Sequence, residues 1–263
     1  MEGLDQFYTA PEVARKYVAS IIKRWDDETL FIEPSAGDGA FLTPLLDKSK
    51  KVRAIDKDPK SKGIIEGDFL KCEKIFRGSH QSIVVVGNPP FGRNGSLAVK
   101  FFNRAADYSD EIAFIVPRTF RKMSVQKRLH RYFHLGADED VKEYAFYLNG
   151  KPHDVPCAWQ VWTRKPKERR VPVPPSVDHL IKYTTPTHAD FAMRRVGFYA
   201  GRVTTTNIKS LSQTTHYFIK EMTKGIMKTL SNTDWSDLVG QTVGARSLSK
   251  TEIAFKLNEV YYA

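Results

Sequence analysis

The sequence predicts an α/β protein: a doubly wound, Rossmann-like parallel sheet followed by a small basic α+β region. Three observations carry the prediction. The apolar run Ile83-Val84-Val85-Val86-Gly87 reads as a buried parallel strand, and it ends in Asn88-Pro89-Pro90-Phe91. A second short run, Leu30-Phe31-Ile32, leads into Glu33-Pro34-Ser35-Ala36-Gly37-Asp38-Gly39-Ala40-Phe41-Leu42, a strand, a small-residue turn and a helix start. The third run, Val52 to Asp56, ends in an acid roughly 20 residues beyond that turn, where a Rossmann-like fold places a ribose-binding carboxylate.

Taken in order, Pro11 sits in a first turn, Thr9 and Glu12 have capping-box spacing, and Val13, Tyr17, Val18, Ile21, Ile22 and Trp25 share one apolar face. A helix packed on a sheet accounts for these residues. In the turn after the second element, Ala36, Gly37 and Gly39 allow close backbone approach to a ligand, and Phe41, Leu42, Leu45 and Leu46 recur at helical spacing. The third glycine of the dinucleotide fingerprint is missing, which favours a nucleoside over a pyrophosphate cofactor. Asp56 is the candidate for the ribose hydroxyls. Ile64 to Leu70 supplies another strand end, where Asp68 could accept from an adenine amino group and Phe69 could cover a ring.

Beyond the tetrapeptide, the sequence predicts an amphipathic helix around Leu97 to Ala106, a strand Ile112 to Val116 ended by Pro117, and a helix near Met123 to Tyr132. Val141 to Leu148, the turn Asn149-Gly150 and Ala158 to Trp162 read as two closing antiparallel strands. The loop Asn149 to Pro156 would project over the site and carry His153. Val171-Pro172-Val173-Pro174-Pro175 is a stiff linker, dividing the chain into residues 1–170 and 171–263. In the second part, Phe191 to Gly197 and Thr214 to Ile219 read as strands, Gly197 and Gly201 bracket a turn, and Ser249 with Glu252 caps a final helix bearing Ile253 and Leu257.

The 263 residues carry a formal charge of +11. Residues 1–163 hold 25 basic and 22 acidic side chains, whereas residues 164–263 hold 16 and 8. This concentration of charge favours a phosphate-backbone partner, so the second part is expected to recognise a nucleic-acid target. Arg194, Arg195 and Arg202, interleaved with Phe198 and Tyr199, are candidate contacts, and so are Arg118, Arg121 and Lys122 in the basic stretch Arg118 to Arg131. The two cysteines, Cys72 and Cys157, are too few for a zinc site or a disulfide framework, so no metal and a reducing, cytoplasmic compartment are expected. No stretch has the length and apolarity of a membrane span.

In their order the motifs resemble the S-adenosylmethionine-dependent class I methyltransferases, specifically the gamma-arranged adenine-N6 enzymes, over roughly residues 5 to 163. Gln6 to Pro11 resembles the amino-terminal cofactor motif, Glu33 to Phe41 the glycine-rich motif, and Asn88-Pro89-Pro90-Phe91 the catalytic motif. The resemblance implies a sheet of seven strands with the last one antiparallel. It implies S-adenosylmethionine contacts from Tyr8, Thr9, Glu33, Ser35, Gly37, Gly39, Asp56, Asp68, Phe69 and Asn88, with catalysis by residues 88 to 91. Methyl transfer to the adenine amino group of DNA is the expected reaction. RNA stays open because Phe91 stands where DNA-modifying members often have Tyr. A protein glutamine methyltransferase, which uses a similar tetrapeptide, stays open as well, and so does a non-catalytic binding module.

Overall fold

The computed structural model describes residues 7–48, 50–76, 78, 82–142, 145–148, 150–241 and 246–262. The expected strands Leu30–Glu33, Lys51–Asp56 and Ile83–Gly87 form side by side, and the first and last are apolar runs buried on both faces, the pattern of a sheet covered on both sides. The chain divides into two compact units, Met1–Phe120 with Val125–Arg170, and Arg121–Ser124 with Val171–Ala263.

Up to residue 170 the chain runs β1 (Tyr8–Thr9), α1 (Pro11–Ile22), β2 (Leu30–Glu33), α2 (Leu42–Leu46), β3 (Lys51–Asp56), β4 (Ile64–Glu66), β5 (Ile83–Gly87), α3 (Ser96–Ala106), β6 (Glu111–Pro117), α4 (Met123–Gln126), β7 (Phe133–Asp140), β8 (Phe146–Leu148), β9 (Lys151–His153) and β10 (Cys157–Arg164), all in the first unit except Met123 and Ser124 of α4. Seven strands make one sheet in the order β4-β3-β2-β5-β6-β10-β7, in which β10 runs antiparallel to both of its neighbours. This is the strand order of a Rossmann-like class I methyltransferase sheet, with the sheet's last strand in chain order reversed. One face of the sheet is covered by α3, through Ala98, Phe101, Phe102 and Ala105. The other is covered by α1 and α2, where Tyr17 stacks on Trp159 at 4.3 Å between centroids. Two core layers of this kind leave only the ends of the strands free for chemistry.

Four local expectations give way to tertiary contacts. Thr9 does not cap α1; Ala10 takes the cap position with no side-chain bond, because Thr9 is already paired in β1 opposite Phe146. The helix expected from Met123 to Tyr132 stops at Gln126. Arg169 donates to the Gln126 and Leu129 carbonyls, and Asn103 donates to Arg128 O while accepting from His130 N, so the groups a longer helix needs are taken. The sheet partner of β10 is β7, an edge strand of mostly exposed and acidic residues, rather than Val141 to Leu148. Charge on an edge strand guards against pairing with other chains and hides the apolar alternation on which a sequence reading relies. The segment expected there instead contributes β8 to a small sheet, β1-β8-β9, turning through Gly150 at φ +75°. Leu46, at the end of the five-residue α2, points outward and is 55% exposed. Gln6 and Asn149 lie outside the described residues.

The second unit is the expected small α+β region. A four-stranded antiparallel sheet has the order β11 (Ile181–Tyr183), β14 (His216–Glu221), β12 (Phe191–Arg194), β13 (Val203–Thr204). Helices α5 (Ile226–Asn232), α6 (Ser236–Val239) and α7 (Lys250–Tyr262) pack on it through Ile226, Leu230, Trp235, Ile253 and Leu257. The capping box of α7 forms in both directions: Ser249 N donates to Glu252 Oε2 at 2.7 Å, and Glu252 N to Ser249 Oγ at 3.2 Å.

Lys122, a candidate nucleic-acid contact, is a structural residue of this unit. Its side chain is 9% exposed, and its Nζ lies 3.2 Å from Glu252 Oε1 and donates to Ser247 O at 2.8 Å. The same carboxylate that caps α7 therefore holds the ammonium. Removing one member of a buried pair leaves the other charged and unpaired, so Lys122→Ala should destabilise the unit by about 3 kcal/mol. Hydrogen exchange across Lys250–Tyr262 is expected to accelerate, and unchanged exchange with weakened oligonucleotide binding would return Lys122 to the surface role.

Candidate functional site

In the sheet order, chain progression reverses at β2: β3 and β4 lie to one side, β5 and β6 to the other. Open α/β sheets bind ligands at the carboxyl ends of strands flanking such a switch point. Glu33 ends β2 and Asn88 follows β5, so the two strongest sequence motifs meet there. They are joined directly, since the Ser35 hydroxyl donates to the Asn88 carbonyl at 3.0 Å.

The Asn88 amide is held by its nitrogen. Nδ2 donates to the Phe7 carbonyl at 3.2 Å and to Thr9 Oγ1 at 3.1 Å. A carbonyl can only accept, so it must face the NH2 end of the amide, and this fixes which way the oxygen points. Oδ1 is buried and meets no hydrogen-bond partner among the described residues. Pro89 is buried, Pro90 is half-buried, and Phe91 packs against both core layers. The Phe91 carbonyl accepts from Leu97 N and Ala98 N, tying the motif to the start of α3.

Gly92 extends the motif in a way the sequence reading missed. Its φ is +64°, and a Cβ there would lie 2.8 Å from Leu97 Cβ, so only glycine fits behind Phe91. The Phe7 carbonyl was missed too, since a backbone acceptor leaves no trace in side-chain patterns. The Phe7 ring stacks on His153 at 5.1 Å, which brings β9 beside the segment that orients Asn88.

Glu33 is 1% exposed. Its Oε1 accepts from Phe41 N at 3.3 Å, while Oε2 is buried without a partner among the described residues. Loss of solvent pushes its pKa well above the usual carboxylate range, the Phe41 and Leu42 amides pull it back, and Asp38 and Asp56 add to the rise. Gly37, at φ +53°, donates its N–H to Asp56 Oδ2 at 2.8 Å, and a Cβ on it would come within 3.0 Å of Tyr8 Cε1. Gly39, at φ +89°, completes the turn by donating to Ala36 O at 2.7 Å. Asp56 is gripped on both oxygens, the second accepting from Asp58 N at 2.8 Å, which leaves lone pairs for hydroxyl donors.

The structure separates the remaining candidates. Asp68 lies just beyond β4 and is braced by Leu70 N at 3.0 Å and Lys57 Nζ at 3.2 Å. Phe69 is a correction: it is 1% exposed and stacks on Phe101 at 5.4 Å in the core, so it covers no ligand ring. Arg118 pairs with Asp140 at 3.0 Å, and Arg121 belongs to the second unit. Arg194 donates to Val196 O at 3.1 Å, Arg195 lies over the Tyr217 ring at 4.9 Å, and Arg202 is exposed over Tyr199. Among the described residues no cluster of His, Cys, Asp and Glu could hold a metal ion, and no helix is long and apolar enough to cross a membrane.

No protein-family model and no curated protein matches the sequence. Solved structures do resemble it. A candidate RNA methyltransferase of Pyrococcus horikoshii is 18% identical, with a TM-score of 0.47 over 61% of this chain and 87% of that one. TrmN of Thermus thermophilus is 15% identical, with a TM-score of 0.42 over 59% and 49%. The methyltransferase subunit of a type I restriction-modification system from Streptococcus thermophilus is 11% identical, with a TM-score of 0.44 over 63% and 46%. The strand order, rather than these likenesses, carries the fold assignment.

The buried carboxyl of Glu33 sets a pH dependence. An unfolded glutamate titrates near about 4.3. Because the folded group titrates higher, the native state binds more protons in between, and stability falls as pH rises through that window. Glu33→Gln removes the penalty. Its melting temperature should exceed that of the natural protein by a few degrees at about pH 8, with the gap closing toward about pH 4. A lower melting temperature at every pH would show that the charged carboxylate has a partner in the protein.

Proposed function

We propose that this chain transfers a methyl group from S-adenosylmethionine to the N6 amino group of an adenine in nucleic acid, with DNA the favoured target. The observation that carries the reading is the Oδ1 of Asn88 at the topological switch point, buried, oriented and without a partner among the described residues. A buried acceptor without a partner costs about 1–3 kcal/mol, and such a cost fits a group reserved for a ligand's N–H.

The residues present fit the cofactor. Glu33 Oε2, buried and unpartnered, suits an α-ammonium; the Gly37–Gly39 turn under Tyr8 admits close backbone approach; Asp56 suits ribose hydroxyls. Bound, S-adenosylmethionine would supply an electrophilic methyl group with a neutral thioether as its leaving group.

The chain's own work is on the acceptor. An adenine amino lone pair is delocalised into the ring and nucleophilic only when drawn out of conjugation. Asn88 Oδ1 and the Pro89 carbonyl each accept one amino hydrogen, which pulls the nitrogen toward tetrahedral geometry and turns its lone pair away from the two acceptors. Phe91 offers a face for the base, and the surplus proton leaves after the new N–C bond has formed. Preorganised acceptors and orientation supply the rate without a strong base. The base must be unpaired or flipped to reach the site. RNA is the second reading, favoured by Phe91, which keeps a stacking face without the hydroxyl of Tyr.

Transfer of tritiated methyl from labelled cofactor onto DNA, RNA and a glutamine peptide, followed by nucleoside digestion, tests the reading. N6-methyladenine is the expected product. Asn88→Ala should lower turnover about a hundred-fold or more with cofactor affinity little changed; a fully active Asn88→Ala protein would overturn the assignment. Thr9→Val removes one of the two bonds that orient the amide. It should lower kcat more than it raises KM, and Thr9→Ser should restore activity. Equal kcat in all three proteins would confine Thr9 to holding β1.

A further inference from the structure

We infer that the glycine-bracketed turn of the second unit is a stacking site for unpaired bases. Phe198 is 74% exposed and Tyr199 57% exposed, and their rings stand perpendicular at 5.2 Å. Two adjacent large rings in water are a cost that burial elsewhere in the unit does not relieve. Their placement is rigid. Gly197, at φ +96°, donates its N–H to Arg246 O at 2.8 Å, and Gly201, at φ +99°, donates to Arg194 O at 2.8 Å. Arg202 N closes the turn onto Tyr199 O at 3.0 Å. A Cβ on Gly201 would come within 2.6 Å of Trp235 Cδ1, so the root of the turn is seated on a buried indole while its tip is held out in solvent.

The cations are arranged to match. The Arg246 guanidinium lies 5.1 Å from the Phe198 centroid, and that of Arg202 lies 5.7 Å from the Tyr199 centroid. Each ring therefore has a cation beside it and more than half of its surface in solvent for a partner. The charge excess of residues 164–263, 16 basic against 8 acidic, selects a polyanion. Paired bases hide their faces from side chains, whereas an unpaired strand presents faces to aromatic rings and phosphates to arginines. Ring faces and guanidinium charge carry no base-specific pattern of donors and acceptors, so the site takes unstacked bases of any sequence. The inference deepens the proposed function and rests on it, since a strand held open here supplies the unpaired adenine that the chemistry requires.

The test uses the full chain and fluorescence anisotropy with labelled oligo(dT), which contains no adenine, so binding is read independently of methyl transfer. The natural protein should bind, and Phe198→Ala/Tyr199→Ala should bind about tenfold or more weakly. Arg202→Ala/Arg246→Ala should reduce the slope of log affinity against log salt by about 1 or more. Asn88→Ala should bind oligo(dT) as the natural protein does, which separates failure of this site from failure of the catalytic reading. Phe198→Leu/Tyr199→Leu keeps apolar bulk without ring faces and guards against misfolding of the alanine variant; it should bind as weakly as that variant. Natural affinity in the leucine variant, or no binding of oligo(dT) by the natural protein, would overturn the inference.

Discussion

The site depends on the grip of the Phe7 carbonyl and the Thr9 hydroxyl on the nitrogen of Asn88. An asparagine at a strand end would ordinarily turn its oxygen toward the nearest N–H. Here the Phe7 carbonyl can only accept, so the nitrogen faces it, the Thr9 hydroxyl accepts from the same NH2, and the oxygen is left buried without a partner among the described residues. The rest of the first unit keeps this arrangement in place. Strand β1 holds Tyr8 and Thr9 against β8, the Ser35 hydroxyl fixes the Asn88 backbone, and the two prolines with Gly92 and α3 stiffen the chain on its carboxyl side. Local strain and unmet polarity of this kind persist only where the surrounding structure over-determines them.

Glu33 repeats the logic on the other side of the switch point. A carboxylate nearly closed off from water, held by the Phe41 and Leu42 amides and with Oε2 lacking a hydrogen-bond partner among the described residues, is poorly placed for stability. Two of the buried polar atoms without a hydrogen-bond partner among the described residues, Glu33 Oε2 at the end of β2 and Asn88 Oδ1 just after β5, fall at the carboxyl ends of adjacent parallel strands. One is an acid suited to a cation, the other an amide oxygen suited to an N–H donor. That pairing of chemistries at one crevice is what a cofactor and an amino-bearing acceptor require together.

Much of this was legible in the sequence for physical reasons. Strands covered on both faces are continuous apolar runs, so β2, β5 and β6 were visible; β3 was marked by Val52, Ala54 and Ile55 ahead of Asp56, and the glycine turn and the tetrapeptide stand at the ends of β2 and β5. The capping box at Ser249 and Glu252 was visible because it is made by near neighbours. What failed was set by distant residues. Strand β7 is acidic and exposed along an edge, Thr9 was claimed by β1, and the helix after Met123 was cut short by Asn103 and Arg169. Phe69 and Lys122 carry the right chemistry for a ligand or a phosphate, yet one is stacked on Phe101 and the other is bound to Glu252. Residue type alone does not separate a functional ring or cation from a buried one; burial and partners do.

The most direct test of the central claim is a crystal structure of the full chain with S-adenosylhomocysteine and an oligonucleotide carrying an unpaired adenine. The account predicts the adenine N6 within about 3 Å of Asn88 Oδ1 and of the Pro89 carbonyl, with Asn88 Nδ2 still on Phe7 and Thr9. An Asn88 oxygen bonded to the protein's own N–H groups, with the base bound elsewhere, would contradict it.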